Sequence, residues 1–104
     1  MLQAAADEGI LSIGVDSNQN HLHPGKVLTS VVKRVDNAVY DAFKAGEAVE
    51  PGLKVWDVKS DGVGVAMDDN NKPLVTPEMT ADVDEARTKI AAGEIKVHDY
   101  MTDN

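Results

Sequence analysis

The chain has 104 residues, 42% hydrophobic and 27% charged, with 18 acidic and 10 basic side chains and a formal charge of −8. That is ordinary globular composition for one domain, without the clustered Lys and Arg that nucleic acids or anionic membranes require. Cysteine is absent, which removes disulfides, thiolate zinc sites and thiol catalysis.

Residues 1–8 read as the last turns of a helix stopped by Gly9. They lack the basic start and long apolar run of a signal peptide. No apolar run approaches the roughly 20 residues needed to span a bilayer. Residues 10–15 (Ile10 to Val15) read as a strand, and their near-continuous apolar pattern suits a sheet covered on both faces. The run ends in Asp16, followed by the polar residues Ser17, Asn18 and Gln19. A buried strand ends this way at the C-terminal edge of a parallel sheet, where ligands of open α/β proteins collect.

Residues 17–25 read as a polar loop containing His21 and His23. Two His one residue apart, with no third ligand near in sequence, are a weak metal signal, and a surface loop is the simpler reading. Val27 to Lys33 is rich in β-branched residues and predicts a second strand. Val35, Ala38, Val39, Ala42 and Phe43 share one helical face, so a helix runs from there to Gly46. Leu53 to Lys59 and Val63 to Met67 read as two short strands. Ser60-Asp61-Gly62 between them is a hairpin signal. Trp56 on the first of these strands reads as core. Asp68 to Pro73 is a turn that lacks the spaced acids, central Gly and terminal Glu of a calcium loop. Thr76-Pro77-Glu78 opens a final helix, with Met79, Val83, Ala86 and Ile90 as its buried face. Gly93 closes it. Residues 98–104 are expected to be a frayed tail.

Two strand ends therefore carry charge, Asp16 on the first and Lys33 on the second. An ionised carboxylate can accept from two adjacent sugar hydroxyls. The other reading of Asp16 is a loop-start residue bonding nearby backbone N–H groups. Lys33 reads either as a donor to the same ligand or as a solvated lysine before the helix. Gly14 either lets a ligand approach the backbone or serves packing. The chain has no nucleophile elbow, phosphate loop or zinc helix, so an enzyme is not expected, and neither a cofactor nor a metal is.

Gly14-Val15-Asp16-Ser17-Asn18-Gln19, then Pro24-Gly25-Lys26-Val27-Leu28-Thr29-Ser30-Val31-Val32-Lys33-Arg34-Val35-Asp36, then Ala38-Val39-Tyr40-Asp41, closely resembles the basic membrane protein family. Gly62 to Ala66 and Gly93 to Val97 are similar to that family's final strand and closing segment. These are substrate-binding lipoproteins of nucleoside importers of the ATP-binding-cassette (ABC) type. The resemblance covers nearly all of this chain but only the C-terminal part of a typical member.

It implies an α/β fold, the C-terminal portion of a periplasmic-binding-protein-like fold of the ribose-binding type (type I). A mostly parallel sheet would be flanked by helices, with a short β-hairpin. Residues 1–104 would then be a single incomplete α/β unit. The resemblance further implies that Asp16 contacts the ribose of a bound purine nucleoside and that Lys33 is a pocket residue. An ABC permease would be the partner, and the location an extracytoplasmic, membrane-anchored lipoprotein. The family commonly has an acid where Asn18 stands, so Asn18 receives no role. The alternative is a truncated or split-gene fragment that self-associates through incomplete sheet edges without binding ligand.

Overall fold

The computed structural model describes residues 1–102. The element order is α1 (Leu2–Asp7), β1 (Ser12–Asp16), a 3-10 turn (Asn20–Leu22), β2 (Val27–Lys33), α2 (Val35–Ala45), a second 3-10 turn (Gly46–Ala48), β3 (Val63–Val65) and α3 (Pro77–Ala92). β1 and β2 run parallel, pairing Gly14 with Ser30, Val15 with Val31 and Asp16 with Val32. β2 and β3 run antiparallel, pairing Val31 with Val65 and Lys33 with Val63. The order β1-β2-β3 makes a small mixed sheet.

The helices form where local signals are strong. Asp36 in the first turn of α2 takes a two-pronged contact from Arg34, with Nε 3.0 Å from Oδ1 and Nη2 2.9 Å from Oδ2. That contact holds the Asp36 carboxyl below the usual carboxylate range. The acid also suits the positive end of the helix. Gly46, at φ +55°, ends α2. On α3 the Thr76 hydroxyl accepts from the Met79 N–H at 3.2 Å, Pro77 occupies the first turn, and Gly93 at φ +82° supplies the left-handed stop.

Three expectations need correction. First, the sheet is mixed rather than mostly parallel, and residues 53–59 form no strand, so the hairpin is absent. The segment before Val63 is instead drawn into a compact turn. Asp57 Oδ1 accepts from the Ser60 N–H at 2.9 Å while the Ser60 hydroxyl accepts from the Asp57 N–H at 2.8 Å. The Gly62 N–H then donates to the Asp57 carbonyl at 2.8 Å. Val63 to Val65 pair with β2, which already presents a seven-residue edge. Second, Trp56 lies off any strand, half-buried, with the Lys54 ammonium 4.4 Å from its ring centre.

Third, the apolar faces predicted to be buried are largely open. Ile13 and Val15 on β1, and Met79 and Val83 on α3, are exposed. α3 stands off from the sheet across a cleft of ≈ 640 Å³, lined by Val31, Val63, Val65, Val83 and Ile90 among others. The Cα radius of gyration is 16.4 Å, against about 13 Å for a compact domain of this length.

The core is small and unusually polar. Its buried apolar members are Ala5, Val27 and Ala66, and its largest fully buried side chains are Val27, Asn20, Asn71 and Ser30. The expected tail at 98–104 includes residues 103 and 104, which lie outside the described residues. Before them, Asp99 turns the chain, its carboxylate accepting from the Met101 N–H at 3.0 Å.

Candidate functional site

Because β1 and β2 are parallel, their C-terminal ends lie at one edge of the sheet. Asp16 ends β1 and Lys33 ends β2. Their side chains meet there, with Lys33 Nζ 3.2 Å from Asp16 Oδ1, and both are open to water at 63% and 71% exposure respectively. The two strand-end charges singled out in the sequence are thus one ion pair.

So exposed a pair contributes only about 0–1 kcal/mol to stability. The backbone of Asp16 is left-handed, with φ +84°. Aspartate and asparagine tolerate such a conformation better than other non-glycine residues, and residues held in it cluster at ligand sites. Chemically, the edge offers two carboxylate acceptors and an ammonium donor to a solute bearing adjacent hydroxyls.

Gly14 lies two residues deeper in β1 and is buried. A Cβ there would sit 2.6 Å from Ser30 Oγ and 3.0 Å from Gln19 Oε1. The space is already filled by the chain itself, so packing accounts for this glycine. Gly14→Ala is expected to cost about 1–3 kcal/mol. In thermal unfolding that is a fall of roughly 5–20 °C in Tm; an unchanged Tm would show that Ser30 and Gln19 can yield.

Behind the edge lies a polar knot that the sequence did not reveal. Ser30 Oγ donates to Asn20 Oδ1 at 2.8 Å and accepts from the Gln19 N–H at 3.0 Å. Asn20 Nδ2 donates to Asp68 Oδ2 at 3.3 Å, and Asn18 Nδ2 donates to the same oxygen at 2.7 Å. Asn18, left without a role above, ties the loop after β1 to the loop after β3. The amide of Asn18, with further donors from Asn70 and Asn20, holds the Asp68 carboxyl below the usual range. Asn71 Nδ2 donates to the Leu28 and Ala66 carbonyls at 2.8 and 3.1 Å. The Asp68 N–H donates to Asn71 Oδ1 at 2.9 Å. No buried side-chain nitrogen or oxygen among the described residues lacks a partner. This knot fixes the loop leaving Asp16. Its one sequence signal was Ser30, a hydroxyl in the middle of an apolar strand.

The cleft between the sheet and α3 does not include Asp16 or Lys33. Among the described residues no cluster of three or more His, Asp or Glu is placed to hold a metal ion. None of their helices is long and apolar enough to cross a membrane.

A parallel strand pair with polar, solvent-facing C-terminal ends, flanked by helices, is the architecture of a periplasmic-binding-like solute receptor in part. The chain belongs to the Bmp family, described as ABC transporter substrate-binding protein PnrA-like, whose sequence model matches residues 1–100. The family is one of solute-binding proteins rather than enzymes. Basic membrane protein D of Borreliella burgdorferi (strain JD1) is 35% identical over 66 residues, covering 58% of this chain and 19% of that protein. The crystal structure of an ABC transporter solute-binding protein from Aeropyrum pernix K1 superposes with a TM-score of 0.64 at 26% identity. That superposition covers 96% of this chain and 37% of the other. The chain thus spans well under half of either relative.

Proposed function

We propose that this chain forms one wall of the ligand cleft of a nucleoside-binding protein of an ABC-type importer. Asp16 accepts hydrogen bonds from the two ribose hydroxyls, and Lys33 donates to a ribose oxygen. The base is buried against apolar or aromatic groups from the rest of the receptor. A second α/β lobe then closes over the ligand, and the closed form engages an ABC permease. Family membership supports an extracytoplasmic, lipid-anchored location. The observation that carries the reading is the solvent-facing Asp16–Lys33 pair at the C-terminal sheet edge, with Asp16 held at positive φ.

Calorimetric titration of a complete receptor containing these residues tests it, using inosine, adenosine and guanosine beside their free bases. Nucleosides are expected to bind at least about tenfold more tightly than bases, since each hydrogen bond to a charged group contributes roughly 1.5–3 kcal/mol. Equal affinity for base and nucleoside, or no heat with any nucleoside, would sink the proposal.

A further inference from the structure

We infer that Asp68 is a positioning residue for the ligand site, acting through Asn18 to hold the Asp16 carboxylate at a fixed spacing from Lys33. The inference rests on the nucleoside reading for its ligand, and on the loop geometry alone for the positioning.

The Asp16 carboxylate meets only Lys33 among the described residues, and both side chains are open to water. So exposed an ion pair does little to fix two side chains. Asp16 must therefore be held through its backbone. Ser17 alone separates it from Asn18. Gln19 and Asn20, further along the loop, are bonded to Ser30, and Asn18 stands between them and Asp16.

Both ends of the Asn18 amide are engaged. Its Nδ2 donates to Asp68 Oδ2 at 2.7 Å, and its Oδ1 accepts from the Asn20 N–H at 3.0 Å. Asp68 is itself half-buried and fixed. Its Oδ1 accepts from the Asn70 N–H at 2.8 Å, and its own N–H donates to the fully buried Asn71 at 2.9 Å. Asn71 in turn donates to the Leu28 carbonyl on β2. β2 is the strand that ends in Lys33. Asp68 thus ties the loop that carries one ligand group to the strand that carries the other.

The tie depends on an amide facing a carboxylate. A carboxylate at position 18 would face Asp68 at the distance the amide now holds, and like charges that close repel. Asn18→Asp therefore opens the tie. Adding Asp68→Asn exchanges donor and acceptor and closes it again. The new amide still accepts from the Asn70 N–H through its oxygen, and the new carboxylate still accepts from the Asn20 N–H. Asn18 is exposed, so folding tolerates the change.

Calorimetry on a complete receptor containing these residues tests the inference, with inosine and its free base as ligands. Asn18→Asp should weaken inosine binding by about tenfold, roughly the worth of one hydrogen bond to a charged group. Base binding should change by less than about twofold, the ordinary scatter between independent sites. The double exchange should return inosine affinity to within about threefold of the parent, and in an Asp16→Gly background Asn18→Asp should add less than about twofold. A double exchange as weak as the single variant, or a tenfold loss that persists without the Asp16 carboxylate, overturns the inference. A parent receptor that binds base and nucleoside alike removes the nucleoside reading, and the positioning is then decided on the chain itself. Nitrogen-15 relaxation should give order parameters of about 0.85 at the Ser17 and Asn18 amides in the parent and the double exchange, falling below about 0.6 in Asn18→Asp. Order parameters unchanged by Asn18→Asp overturn it whatever the ligand.

Discussion

Asn71→Ala is expected to lower the stability of this chain by about 2–4 kcal/mol, the largest effect of any single truncation in the polar knot. The estimate combines the penalty for unpaired buried groups with that of the void left behind. Asn71 is fully buried and makes three hydrogen bonds through one side chain. The truncation removes the amide donor from the Leu28 carbonyl and the acceptor from the Asp68 N–H. The Ala66 carbonyl keeps the Thr29 hydroxyl, at 2.8 Å, so its loss is partial. The loop from Asp68 to Asn71 would then no longer be stitched to β2, and the Asp68 anchor for Asn18 and Asn20 would loosen with it. Urea unfolding followed by circular dichroism reads the change as a lower midpoint at unaltered slope. Asp69→Ala is the control. Asp69 is exposed in the same loop, and a change within about 0.5 kcal/mol is expected there. Equal midpoints for the two variants would mean that the knot does not hold the sheet together.

How legible each part was depended on how far away its cause lies. α2 and α3 could be read from their own residues, since Thr76, Pro77, Gly46 and Gly93 act within one turn of where they stand. β2 was legible for the same reason, its β-branched run being confined to Val27 through Lys33. The failed strand at 53–59 shows the limit. A strand exists only if an edge accepts it, and the Asp57–Ser60 turn had already diverted the chain. Ile13, Val15, Met79 and Val83 are exposed against expectation because periodicity identifies an apolar face without saying what covers it. The knot was hidden more deeply. Asn20 and Asp68 are 48 residues apart, as Asn71 and Leu28 are 43 apart, and loop amides give no local sign of such partners. Asp16 and Lys33 were legible as strand ends, but their 3.2 Å contact follows from the parallel register.

Asp16→Gly should separate binding from folding in a complete receptor. Glycine adopts φ +84° freely, so the backbone cost an aspartate bears there, about 1 kcal/mol, is relieved. Against that stand the lost ion pair, at about 0–1 kcal/mol for so exposed a contact, and the extra chain entropy of glycine when unfolded. The net is a change within about 1 kcal/mol of zero, and Tm should hold or rise. Binding should respond very differently. If the carboxylate accepts from both ribose hydroxyls, the variant loses two charge-assisted hydrogen bonds, and affinity for a nucleoside falls by about a hundredfold or more. Affinity for the free base should not change, because the base does not reach Asp16 in this arrangement. Asp16→Asn sharpens the comparison. Asparagine tolerates positive φ and keeps the shape, but its amide offers one acceptor oxygen instead of two charged ones. Its affinity should fall between parent and glycine variant. A glycine variant that binds nucleoside as the parent does would remove Asp16 from the site. One that loses base and nucleoside affinity equally would point to a damaged cleft rather than a missing ribose contact.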